Sequence, residues 1–179
     1  MIERKTRLAR LPETRIAYFE LADAYERQPS GVLTPRWQAI GELWDQFNDW
    51  RLRTRPALGR IDIAAFGLTL EESAALRAAV PIRGDYRASE PAKTALFPGG
   101  TFAYTYADNI DEIDDAAAAT QAWILAQGLT RVSGLIEAYK FHYNNDQHPC
   151  DCGYLVVNAD GSEPIPPPLT HTAPLPIAR

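Results

Sequence analysis

A chain of 179 residues, 46% hydrophobic and 23% charged, is long enough for one sizeable core or two small fused ones, and its composition excludes wholesale disorder. Its net charge of −5, without any run of Lys or Arg, argues against direct binding to nucleic acid, because neutralising phosphates needs a basic face. The polar start MIERKTRLARLPETR lacks the apolar stretch of a signal peptide and no segment is long enough to cross a bilayer, so a cytoplasmic protein without a membrane partner is expected.

In chain order, Thr6 to Leu11 and Arg15 to Leu21 read as strands around the turn signal Pro12-Glu13-Thr14, followed by a polar loop from Ala22 to Gly31. In TPRWQAIGELWDQFNDW, Thr34 is the expected N-cap and Pro35 the first helical residue, with Ile40, Leu43, Trp44 and Phe47 at helical spacing. Arg60 to Phe66 reads as a strand. The stretch from Leu68 to Arg87 supplies a trailing strand or, through EESAALRAA, a helical turn. A second cycle follows: strands at Lys93 to Phe97 and Thr101 to Tyr106, a helix from Ile110 to Gln127 closed by Gly128, and strands at Leu135 to Phe141 and Tyr154 to Val157. The acidic run starting at Asp111 suits a helix N-terminus.

The two cycles share residues as well as pattern. LPETRIAY (Leu11 to Tyr18) matches FPGGTFAY (Phe97 to Tyr104), and GRIDIAAF (Gly59 to Phe66) matches GLIEAYKF (Gly134 to Phe141), with one tryptophan-bearing helix between the members of each pair. Trp44 is thereby matched with Trp123, and Asp62 with Glu137. Each unit reads β-β-α-β with a trailing strand, the first about 4–87 and the second about 91–158, an α+β arrangement in which both helices pack on a shared curved sheet. The proline-rich tail, within 159–179, is expected to be extended or disordered.

Cys150 and Cys152 are too close in sequence to close a useful disulfide loop. With His142 and His148 they make a compact cluster, but the spacing fits no common zinc pattern, so no metal site is expected. No glycine-rich loop precedes a helix, and Ser73, Ser89 and Ser133 lack a nucleophile-elbow context, so neither nucleotide nor other cofactor binding nor a serine triad is supported.

The duplicated unit, with its Pro…Ala-Tyr strand, the Ile-Glu-x-Tyr strand at Ile136 to Tyr139 and the Cys-Asp-x-x-Tyr strand ending at Tyr154, resembles the GyrI-like small-molecule-binding family. That family includes effector-binding domains of AraC-type and MerR-type multidrug regulators and stand-alone proteins. The resemblance spans roughly Arg4 to Asn158, and with no helix-turn-helix segment in the chain a stand-alone protein is expected. It implies two pseudo-symmetric halves around a ligand cleft for hydrophobic, often cationic, compounds. It also places the cleft glutamate at Glu137, an aromatic neighbour at Tyr139 and the late tyrosine at Tyr154.

Two readings of Glu137 follow. In one it is a strand carboxylate satisfied by an arginine such as Arg60 or Arg77. In the other it works inside an aromatic enclosure, where desolvation raises its pKa and ring faces attract a cation. Tyr18, Tyr104, Trp44, Trp123, Tyr154 and Asp62 are the candidate surroundings, although tryptophans on a helix face also serve as core. Some stand-alone members hydrolyse cyclopropane-bearing alkylating toxins. The resemblance therefore implies a candidate ring-opening hydrolase in detoxification or self-resistance, with Glu137 handling the proton and Tyr104 or Tyr139 hydrogen-bonding the developing charge. The alternative is a non-catalytic binding module or a gyrase-inhibitor-like partner of another protein.

Overall fold

The computed structural model describes residues 5–54, 65–139 and 148–166. Strands β1 (Arg7–Leu11) and β2 (Thr14–Leu21) flank the corner at Pro12-Glu13. The stretch read as a loop contains instead a small hairpin, β3 (Tyr25–Arg27) paired with β4 (Leu33–Pro35). Thr34 and Pro35 therefore close this hairpin rather than cap the helix. Helix α1 (Trp37–Thr54) buries Ile40, Leu43, Phe47 and Trp50 along one stripe, as its apolar spacing requires.

Strand β5 (Ala65–Leu70) follows; the expected strand from Arg60 and the residue Asp62 lie almost entirely outside the described residues. In EESAALRAA the alanines enter β6 (Ala75–Pro81), where burial on both faces outweighs their helical propensity. Strands β7 (Lys93–Phe97) and β8 (Gly100–Ala107) meet at Pro98-Gly99. Gly99 has φ +67°, and a Cβ there would stand 2.6 Å from the carbonyl oxygen of Leu11 and 2.5 Å from the amide of Glu13. The two corners thus rest directly on each other, which only glycine allows. Helix α2 (Ile113–Ala126) has Asp114 and Asp115 in its first turn, favourable at the positive helix end, and Gly128 follows it at φ +68°. The short β9 (Thr130–Arg131), β10 (Ile136–Tyr139) and β11 (Cys150–Val157) complete the chain, β11 starting at Cys150 rather than at Tyr154.

All these strands except β3 and β4 form one antiparallel sheet in the order β1-β8-β11-β10-β5-β6-β2-β7, with β9 beside β11. The pairing is symmetric: β1 of the first half pairs β8 of the second, β7 of the second pairs β2 of the first, and β5 meets β10 at the centre. Both helices lie on one face, α1 over β2 and β6 and α2 over β8 and β11. On the opposite face Leu11, Ile16, Tyr18, Phe66, Leu68, Phe97, Phe102, Ile136 and Leu155 form a continuous core. Phe66 of central β5 stacks on Phe97 of edge strand β7 at 5.2 Å, although two strands separate them in the sheet, so the sheet curls towards this face.

The head of the tail is docked rather than free. Glu163 pairs with Arg10, the buried Pro164 accepts a hydrogen bond from Thr101 Oγ1 at 3.0 Å, and the residues from 167 lie outside the described set. Among the described residues no helix is long and apolar enough to cross a membrane.

Candidate functional site

The alternation of β10 puts Ile136 and Ala138 into the core beneath the sheet and Glu137 and Tyr139 onto the helix-bearing face. The hydroxyl of Tyr139 donates to Oε2 of Glu137 at 2.6 Å, the length of a charge-assisted bond. Burial pushes the Glu137 carboxyl above the usual carboxylate range; the Tyr139 hydrogen bond opposes that shift and the negative charge of Asp114 adds to it. Burial likewise pushes the Tyr139 phenol well up, helped by the charge on Glu137. The pair is a carboxyl that holds its proton more tightly than usual beside a phenol that stays neutral.

Side chains from four elements surround this pair. Across β5–β10, Glu137 faces Gly67 and Tyr139 faces Ala65. Across β10–β11, Glu137 faces Cys152 and Tyr139 faces Cys150, both thiols free and buried, with their sulfurs 3.3 Å apart. Helix α1 brings Trp44, whose ring meets Tyr139 edge to face at 5.4 Å and Phe47 at 5.8 Å. The β3–β4 hairpin brings Tyr25, held by its amide on the Ala74 carbonyl at 3.1 Å and by its hydroxyl on Thr69 Oγ1 at 2.9 Å. Burial, with the charges of Glu137 and Asp114, raises Tyr25 to about 12, against the lowering effect of the Thr69 hydrogen bond. Small residues on the sheet, an acid, two phenols and an indole therefore share one face.

The structure gathers only some of the expected residues. Glu137, Tyr139 and Trp44 come together. Tyr18 and Tyr104 do not: both belong with the opposite core, Tyr104 stacked on Phe102 at 5.3 Å and Tyr18 beneath the Arg77 guanidinium at 4.4 Å. The strand period explains the miss, because a tyrosine one register step out faces away. Trp123 and Tyr154 do lie on the helix-bearing face, but in a separate cluster with Ala103, Ile124 and Val156, where Arg131 covers the Tyr154 ring at 4.9 Å. Arg77, the suggested partner of Glu137, is instead bonded to Glu20 at 2.6 Å; Arg60 and Asp62 lie outside the described residues.

The ladders also correct the match between halves. Tyr18 pairs with Ala79 and Ala79 with Phe66; Tyr104 pairs with Gly153 and Gly153 with Ile136. Counting from the matched tyrosines, Phe66 corresponds to Ile136 and Gly67 to Glu137, so Asp62 is not the first-half equivalent of the acid. Gly67 and Glu137 face each other, which puts the symmetry axis of the sheet through this pair. Tyr25, Gly67 and Thr69 escaped the sequence reading; a glycine inside the apolar run AFGLTL was the available signal, since strand-interior glycine marks a close approach.

No protein-family model matches the sequence, and no curated protein matches it. Solved structures do. The EcmrR chain of the EcmrR–DNA complex superposes with a TM-score of 0.65 at 11% identity, covering 88% of this chain and 59% of that one. This chain thus spans less than two thirds of that protein. The EcmrR C-terminal domain alone gives 0.62 at 11% identity, covering 88% of this chain and 99% of the domain. SAV2435 bound to tetraphenylphosphonium gives 0.57 at 12% identity, covering 86% and 94%. The likeness establishes the fold: a curled antiparallel half-barrel with two helices, the architecture that the resemblance implied.

Proposed function

We propose that this protein binds a hydrophobic organic cation on the helix-bearing face at Glu137, acting in the cytoplasm to capture toxic compounds. The observation that carries this reading is the Glu137 carboxylate held by Tyr139 at 2.6 Å, with the Trp44 ring packed on that same tyrosine. A carboxylate partly withdrawn from water favours a cation that replaces its lost solvation, and ring faces add their own attraction. SAV2435, which shares the fold, is bound to tetraphenylphosphonium, a bulky cation of this class.

Hydrolysis of a cyclopropane-type toxin is the second reading. A carboxyl shifted upward and hydrogen-bonded to a phenol suits proton transfer. Its case is narrower than the sequence promised, because Tyr104 faces the opposite core and leaves Tyr139 as the remaining expected donor beside Glu137. Binding is therefore the primary reading.

Calorimetric titration with tetraphenylphosphonium tests it. One saturable site is expected, weakened by about tenfold or more in Glu137→Gln. Absence of binding, or equal binding by the variant, would sink the reading. Mass spectrometry of a cyclopropane-bearing alkylating compound incubated with catalytic amounts of protein decides turnover: a water-added product in excess over protein, lost in Glu137→Gln, makes it a hydrolase.

A further inference from the structure

Gly67 sits inside β5, buried, at a backbone angle that any residue adopts. Nothing about chain conformation asks for glycine here, and a strand interior is weakened by it. What glycine supplies is room. A Cβ on Gly67 would lie 2.9 Å from Oε2 of Glu137, 3.1 Å from its Cδ and 3.3 Å from its Cβ. The glutamate side chain lies down across the bare backbone of β5 instead of standing up from the sheet.

We propose that Gly67 is the positioning residue that seats the Glu137 carboxylate low on the sheet and so sets how bulky a cation the site accepts. The inference rests on the binding role of Glu137 proposed above and goes a step beyond it, to ligand size. With Gly67 bare, the carboxylate lies at the level of the sheet, and a ligand that meets it comes from the helix-bearing face. A methyl group at 67 forces the carboxylate up and away from β5, into the room a bulky ligand needs. Large cations lose their place; small ones still reach the acid.

The symmetry of the sheet explains why one half carries the acid and the other a glycine. Gly67 and Glu137 are equivalent positions that meet face to face. Two glutamates there would set like charges directly opposite each other and leave neither side chain room to lie flat. One acid and one absent side chain is the arrangement that a single central carboxylate requires.

Gly67→Ala is the test, read in two independent ways. Titration against tetraphenylphosphonium and against tetramethylammonium is expected to show the large cation weakened by about tenfold or more and the small one little changed, the cost of a single added methyl in a filled site. NMR titration of the Glu137 carboxyl is expected to show its pKa falling towards the ordinary value as the group is pushed towards water, with the double variant Gly67→Ala, Glu137→Asp recovering the raised value. An unchanged Glu137 titration in Gly67→Ala overturns the proposal whatever the ligands do. So does an equal loss for both cations with the pKa shifted, since size would then not be what Gly67 governs. If the wild type ignores both cations, the binding reading fails, and ligand selection by Gly67 fails with it, while the titration still shows whether Gly67 seats the carboxylate. Should Gly67→Ala fail to fold, the double variant decides: its shorter acid clears the methyl group and is expected to fold, and its failure would assign the room at Gly67 to backbone packing.

Discussion

The phenolic oxygen of Tyr139 stands 2.6 Å from Oε2 of Glu137, its neighbour but one on the same strand face. Neither group has its ordinary proton affinity: burial raises both, and the bond between them holds the carboxyl down while pushing the phenol up.

Tyr139→Phe removes the hydroxyl that favours the charged carboxylate. The Glu137 pKa is expected to rise further, read by NMR of labelled carboxyls. The fold is expected to lose about 1.5–3 kcal/mol near neutral pH, the worth of a hydrogen bond to a charged group. The loss shrinks in acid, where the carboxyl is already neutral. A pKa that falls in the variant would refute the hydrogen bond as the stabilising contact.

Because burial holds the folded Glu137 carboxyl above its unfolded value, the folded state carries the extra proton. Its contribution to stability is fully present below the unfolded pKa and is lost as pH rises through the folded one. Glutamine does not titrate. Thermal unfolding of Glu137→Gln and the parent is therefore expected to show near-equal Tm at about pH 4 and a variant more stable than the parent at about pH 8. A gap that closes with rising pH would contradict the direction of the shift.

Tyr18 and Tyr104 offer a built-in control. Both contribute to the core on the far side of the sheet, so Tyr18→Phe and Tyr104→Phe are expected to bind tetraphenylphosphonium within about twofold of the parent. Trp44→Ala is expected to weaken binding by about tenfold, through loss of the indole beside Tyr139. Phe47→Ala serves as the stability reference, with a cost of about 3–5 kcal/mol for emptying a fully buried ring site. A binding defect in Tyr104→Phe matching that of Trp44→Ala would place the ligand on the other face.

Much of this fold is legible in the chain because local physics writes it. The apolar stripe of α1, the Pro12 and Pro98 corners and the two-residue alternation around Glu137 each act over a few residues. Register is different. It depends on which distant strand supplies the partner, and a matching string such as GRIDIAAF against GLIEAYKF cannot specify it; the ladders join Glu137 to Gly67 instead. The same limit hid Tyr25, carried by a three-residue strand too short to show a period, and sent Tyr18 and Tyr104 to the wrong side on paper. Trp44 and Trp123 look alike as helical tryptophans, yet only the crossing of α1 over the sheet brings one of them to Tyr139.

The corner at Pro12-Glu13 sends the chain from β1, which lines β8, to β2, which lines β7, and the corner at Pro98-Gly99 makes the reciprocal passage. Each half of the molecule thereby lends its first strand to the other, in the manner of a domain-swapped dimer whose two protomers have been joined end to end. Neither half is complete by itself: the first without β7, or the second without β1, exposes the flank of a strand that the intact chain covers. Loss of one half strips the other of an edge. The chain is therefore expected to melt as one cooperative unit in calorimetry, and halves separated between β6 and β7 are expected to reassociate through their exchanged strands.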